Sequence, residues 1–296
     1  MKILKWCIAM ISIALLLGCA TTAEKQKEEK NKTPQAETTK ETEQKEEKPE
    51  KITETVYLLE KQSSLFPDGT LDEYLLRTYE EDSTKLRNEK RFTSEDKLEE
   101  KREYVYEEGL LKKVETYNDE GELEKYHSYT YDGDGNLTVD AIYNSEDELQ
   151  SKSTFEYNED GKKVKWSVYN ANEALLSYTR YIWEDGKNTR IETYTPGGEL
   201  DIYFELEYNE NGQLIRKARY SADDTLQEYR SYIYKEGRLV EETVHRANDS
   251  VKRRILYSYG QHDKPTLIVY ESSGGTVHEK VKREYIQREI VKYIDK

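Results

Sequence analysis

A unit of about 26 residues recurs nine times from Leu65 onward, and each copy reads as two short β-strands. Copies open near Leu65, Phe92, Tyr117, Tyr143, Tyr169, Tyr194, Tyr220, His245 and Tyr270, so the spacing stays between 25 and 27 residues. Such repetition stacks one supersecondary unit on the next, because no single unit buries its apolar face alone. In the copy opening at Tyr194, Leu200, Ile202, Phe204, Leu206 and Tyr208 alternate with Asp201, Tyr203, Glu205 and Glu207. Period two over this length is a half-buried strand with one face on a core. A Tyr-x-Tyr pair ends several of these strands, as Tyr104/Tyr106, Tyr129/Tyr131 and Tyr232/Tyr234, with Phe155/Tyr157 and Tyr181/Trp183 as variants. Gly121, Gly135, Gly161, Gly186 and Gly212 each follow an acidic or amide residue, the signature of tight hairpin turns.

The expected fold is all-β: an elongated, twisted antiparallel β-meander of about nine two-strand repeats, preceded by a leading strand around residues 53–59. Open sheets rarely exceed ~10 strands without curling. The expectation is therefore an open superhelix or spiral sheet forming one domain over residues 52–296. An integral outer-membrane barrel is disfavoured, because it needs an outward face free of charge at mid-membrane depth. The face opposite the Leu/Tyr ladder carries Asp201, Glu205 and Glu207, and we assign Lys217 and Arg219 of the next strand to it as well. The return strands are less regular: Val164, Trp166 and Val168 sit on the opposite parity from Leu137, Val139 and Ala141.

Upstream of the repeats, Lys2 and Lys5 precede an apolar run from Ile8 to Leu17, too short to remain as a membrane-spanning helix. Leu16-Leu17-Gly18-Cys19 resembles the lipobox of bacterial lipoprotein signal peptides. That resemblance implies removal of residues 1–18, lipidation of Cys19 and stable membrane attachment through several acyl chains. Residues 19–51 are rich in Glu and Lys, with Ala as the only apolar type after Cys19, and are expected to be a disordered tether. The only other cysteine, Cys7, lies in the signal, so no disulfide framework or thiolate metal site is expected. Removing signal and tether from the formal charge of −15 leaves −16 on the repeats, which disfavours nucleic acid as a partner.

Tyr131-Asp132-Gly133-Asp134-Gly135-Asn136-Leu137, with Tyr157-Asn158-Glu159-Asp160-Gly161 and Tyr208-Asn209-Glu210-Asn211-Gly212-Gln213-Leu214, resembles the YD repeat of bacterial Rhs-type proteins. The copies are also similar to the Gly-x-Leu hairpin repeats of MORN-variant proteins and their antitoxin relatives. The Rhs resemblance implies a β-spiral shell around a toxic C-terminal domain. This chain has far fewer repeats and no added domain, so only hairpin architecture carries over.

Catalytic chemistry finds little support. His127, His245, His262 and His278 are scattered without metal-ligand spacing, and His127 and His245 fall where other copies carry aromatic residues. Asp132, Asp134 and Asn136 imitate the opening of a calcium loop, but Leu137 stands where that loop needs Gly. No catalytic residue, metal or cofactor is expected. The candidate binding surface is a stripe of Tyr126, Tyr178, Tyr203 and Tyr229, read at one equivalent position in successive copies and suited to sugars or peptide segments. The reading is a non-enzymatic, lipid-anchored cell-envelope protein whose sheet binds a glycan or protein partner or serves structurally. An immunity or antitoxin-like envelope protein is the alternative.

Overall fold

The computed structural model describes residues 50–294. The signal peptide, the lipobox residues Leu16, Leu17 and Gly18, Cys19 and nearly all of the tether lie outside the described residues. The chain forms eighteen strands: β1 (Glu50–Leu65), β2 (Leu71–Tyr79), β3 (Leu86–Thr93), β4 (Leu98–Glu107), β5 (Leu110–Tyr117), β6 (Leu123–Tyr131), β7 (Leu137–Asn144), β8 (Leu149–Tyr157) and β9 (Lys163–Asn170), then β10 (Leu175–Glu184), β11 (Lys187–Tyr194), β12 (Leu200–Tyr208), β13 (Leu214–Ser221), β14 (Leu226–Lys235), β15 (Arg238–Arg246), β16 (Val251–Tyr259), β17 (Pro265–Ser272) and β18 (Val277–Ile294). Every strand pairs antiparallel with its sequence neighbours, and β1 also pairs with β18. The sheet is thus a closed eighteen-stranded barrel.

Closure corrects the expected open superhelix, and with it the resemblance to YD-repeat and MORN-variant arrays, whose architecture implies an open stack or spiral shell. The ninth copy, opening at Tyr270, contributes only β18. Its missing second strand is supplied by β1, two hundred residues upstream in the sequence, along a register that runs from Glu50↔Ile294 to Leu65↔Lys280. Closing the ring leaves no open edge along the barrel wall to recruit another chain.

Register explains why the ring closes. Tyr104 is level with Val114, and Val114 is level with His127, two residues short of the equivalent Tyr129. The same two-residue stagger recurs from Tyr129 through Asp140 to Ser153, from Tyr232 through Glu242 to Ile255, and across the seam from Val281 through Ser64 to Glu73. Stagger and strand number advance together, the linked tilt and shear that a closed barrel requires. Equivalent residues of the nine copies therefore lie on one level around the barrel axis.

Alternation assigns the two faces. Ile255, Ile268 and Val281 form a buried cluster with Tyr257 and Tyr270 on the inner face. Trp166 and Val168 share that face, level with Phe155 and Ser153, whereas Val139 and Ala141 point outward. The parity change between return strands thus reflects a sheet with both faces partly covered: Ala141 and Ala218 are buried on the outer face beneath larger neighbours. Lys217 and Arg219 pair directly with Leu206 and Phe204, so they belong to the inner face, correcting their outward assignment. Turns alternate between the two rims. In the β6–β7 turn Gly135 takes φ 83°, while the Asp132 carboxylate accepts the backbone N–H of Asp134 and of Asn136.

The buried phenols define an alkaline limit to stability. Burial pushes Tyr104, Tyr181 and Tyr232 up to about 12 and also raises Tyr129 and Tyr257. In the unfolded chain these groups ionise near pH ~10. Above that pH the unfolded chain binds fewer protons than the folded one, so stability is fully present below pH ~10 and is lost on rising toward pH ~12. Absorbance at the phenolate band should rise together with loss of β-sheet circular dichroism. Free titration of all tyrosines near pH ~10 with the sheet intact would contradict the burial.

Candidate functional site

Two aromatic rings line one end of the barrel interior. The outermost comprises Tyr79, Tyr106, Tyr131, Tyr157, Trp183, Tyr208, Tyr234, Tyr259 and Tyr285, the last inward-facing aromatic of each even-numbered strand. Their polar atoms are committed to the backbone twenty residues upstream. Tyr131 Oη donates to the Leu111 carbonyl at 2.7 Å, Trp183 Nε1 to the Lys163 carbonyl at 2.9 Å and Tyr259 Oη to the Leu239 carbonyl at 2.7 Å. Tyr79, Tyr157, Tyr208, Tyr234 and Tyr285 make the same bond. Lys or Arg side chains lie over several of these rings, as Lys112 does over Tyr131 at 5.2 Å.

One level deeper the second ring reads Arg77, Tyr104, Tyr129, Phe155, Tyr181, Leu206, Tyr232, Tyr257 and Arg283. Its hydroxyls behave differently. Tyr104, Tyr129, Tyr181 and Tyr257 are raised by burial first and by neighbouring charges second, and no hydrogen bond holds their oxygens among the described residues. Nor are those oxygens among the polar atoms fully sealed from solvent, a set that includes Trp166 Nε1 and the Nε atoms of Arg219 and Arg253. They are therefore largely buried but not completely sealed.

Several ionic groups of the inner wall are paired with one another. Glu89, 6% exposed, accepts from Arg77 at 2.7 Å and lies 3.5 Å from Arg102, which also meets Glu100 at 2.8 Å. Glu242, 7% exposed, pairs with Arg230 at 2.7 Å. His127 meets Asp140 at 2.9 Å. Burial lowers Lys163 and Lys217, the second helped by nearby Arg230.

The outer wall is charged throughout its height. Lys101–Glu103, Lys113–Glu115 at 2.8 Å, Lys165–Glu156 at 2.8 Å, Arg190–Glu192 at 2.9 Å, Arg216–Glu207 at 2.6 Å and Arg254–Glu241 at 3.8 Å all face outward. Tyr126, Tyr178, Tyr203 and Tyr229 share this wall at one level, each three residues into its strand; Lys152 takes the position between Tyr126 and Tyr178. Each tyrosine stacks on its directly paired neighbour: Tyr143 at 5.1 Å, Tyr194 at 4.9 Å, Tyr220 at 4.9 Å and His245 at 4.4 Å. A cation from the preceding strand covers the other side: Lys113 at 4.0 Å, Lys165 at 5.8 Å, Arg190 at 3.7 Å and Arg216 at 4.9 Å. The hydroxyls of Tyr126, Tyr203 and Tyr229 donate to Asp147, Asp224 and Asp249 in the next turn. These contacts raise all three tyrosines, the carboxylate being the leading cause for Tyr126 and Tyr203 and burial for Tyr229. Tyr178, Tyr203 and Tyr229 thus stand on alternate strands at one level, while Tyr126 is set apart by Lys152, and the ring faces of all four are engaged in cross-strand packing.

Sequence reasoning did not separate the inner rings from each other. Both tyrosines of each Tyr-x-Tyr pair read as core ladder, although in Tyr104/Tyr106 and Tyr129/Tyr131 only the second has its hydroxyl consumed. The strict separation of twenty residues between that second aromatic and its acceptor carries the distinction. His245 replaces an aromatic in a stack, as its position suggests, and Asp132 is spent on its own turn. Among the described residues no group of three or more His, Cys, Asp or Glu side chains is placed to hold a metal ion.

No protein-family model and no curated protein matches the chain. Among solved structures, a TcdB2–TccC3–Cdc42 complex is similar over 79% of this chain, at 10% identity and TM-score 0.32; the match spans only 16% of the length of that protein. A porin-like protein from Bacteroides uniformis is similar over 77% of this chain and 98% of its own, at 9% identity and TM-score 0.41. A porin-like protein from Bacteroides vulgatus covers 78% and 99%, at 10% identity and TM-score 0.34. At these scores the likenesses assign no function to the chain.

Proposed function

We propose that this protein is a water-facing binding barrel held at the bacterial cell envelope by lipid on Cys19, and that its role is binding rather than catalysis. The observation that supports this reading most is the outward belt of ion pairs. A lysine or arginine facing lipid at the bilayer midplane costs ~2–4 kcal/mol, and this wall presents such residues around its circumference. A barrel built this way belongs in water, and attachment falls to the lipobox resemblance upstream. The inner wall supplies a sheltered surface of rings, hydroxyls and paired charges, whereas the contact of Ser231 Oγ with His245 Nε2 at 2.9 Å lies on the outer wall, with its imidazole stacked on Tyr229.

Cell fractionation tests the reading. The parent protein is expected in the membrane fraction, resistant to alkaline carbonate but extracted by mild detergent. Cys19→Ala is expected to move nearly all of it to the soluble fraction with its β-sheet spectrum unchanged. Retention of Cys19→Ala in carbonate-washed membranes would mean that the barrel itself is embedded, and the proposal would fall.

A further inference from the structure

The second inner ring is where a ligand finds unmet chemistry. A ring of eighteen strands is wide enough to leave an aqueous interior. At this level Tyr104, Tyr129, Tyr181 and Tyr257 offer hydroxyls without protein partners, beside Phe155 and Tyr232, whereas the ring above spends its hydroxyls on backbone carbonyls. Buried tyrosine and tryptophan polar atoms ordinarily find a partner, yet Trp166 Nε1, next to Phe155 in the paired strand, is sealed from solvent without one. The charged groups at this height are already engaged: Arg77 with Glu89, Arg283 with Gln62 at 3.0 Å, and Lys217 with the Phe204 ring at 4.5 Å, while Lys163 lies 4.6 Å over the Tyr181 ring and 5.5 Å over Phe155. What remains without a partner and within reach is neutral: hydroxyls that donate and accept, aromatic edges, and the ring faces that Lys163 leaves open.

We propose that the barrel interior, at the level of Tyr104, Tyr129 and Tyr181, binds an uncharged, unbranched β-1,4-linked oligosaccharide. Such a chain is a flat ribbon with apolar C–H faces that lie on aromatic rings and equatorial hydroxyls along its edges. Those edges meet tyrosine hydroxyls as both donors and acceptors. The outer stripe lacks this complementarity, since its rings are covered on both sides. The proposal rests on the barrel being a water-facing binding module, which fractionation of Cys19→Ala tests separately.

Trp166 and Trp183, the two tryptophans among the described residues, both line the interior, so indole fluorescence reports its occupancy. The detergent-solubilised full-length protein would be titrated with chitohexaose and with cellohexaose, following fluorescence and heat. Saturable binding of at least one probe is expected, with affinity at least tenfold weaker in the triple variant Tyr104→Phe, Tyr129→Phe, Tyr181→Phe. These changes keep every ring and remove only hydroxyls, so circular dichroism should match the parent. Four results would overturn the proposal: no saturable binding of either probe, equal affinity in the triple variant, loss of affinity in Tyr203→Phe with Tyr229→Phe instead, or binding only of an anionic hexagalacturonate.

Discussion

Deleting residues 277–296 should abolish cooperative folding. That change removes β18, and with it both the partner of β1 and the outer partner of β17. Seventeen strands would remain with two exposed edges, and the Ile52–Leu59 stretch, which is rich in β-branched and aromatic residues, would lose its only partner strand. Exposed edges of this composition template pairing with other chains. No copy could compensate locally, since each depends on neighbours to bury its apolar positions. The expected result is a protein recovered in the insoluble fraction, or soluble without a sigmoidal urea transition. A monomeric truncation that unfolds cooperatively would show that the open meander is self-sufficient and that closure is incidental.

The second large effect concerns Glu89. Its carboxylate is nearly inaccessible and serves Arg77 and Arg102 together. Removing one partner of a buried ion pair leaves uncompensated charge and costs ~3–5 kcal/mol. Glu89→Ala should therefore shift the urea midpoint by that free energy without changing the slope. Replacing the pair together, as Arg77→Met with Glu89→Leu, should restore much of the loss, because apolar residues of similar volume substitute well for buried ion pairs. A loss under ~1 kcal/mol for Glu89→Ala would mean that water reaches these guanidinium groups, and the network would be no more than a surface pair.

The hairpins were legible in the sequence for a local reason. Alternation such as Leu200–Tyr208 and turns such as Asp132–Asn136 encode strand and reversal within a dozen residues. Closure was not legible, because it is a sum over the whole chain. Each copy contributes a two-residue stagger and carries a one-residue register shift at each of its two turns, such as those between Thr130 and Tyr131 and between Ile142 and Tyr143. Only their total determines whether β18 meets β1. Lys217 and Arg219 illustrate the same limit, since one irregular residue in the pairing between Glu207 and Tyr208 exchanges inward for outward. The outer stripe was found because it repeats in type. The inner site was missed because free and committed tyrosines look alike until the acceptor carbonyl is known.

The seam strands are nearly twice the length of the others, and their excess, from Glu50 to Leu59 against Tyr285 to Ile294, pairs only with itself. The segment that joins the barrel to the rest of the chain enters at the far tip of this ribbon. Tension arriving at Glu50 along the strand axis would load β1 and β18 in shear, with every paired residue from Glu50 to Leu65 sharing the force at once. Pulled sideways, the same bonds would open one after another like a zip. The ribbon is therefore a mechanical coupling whose strength depends on direction, strong along the line of attachment and weak across it.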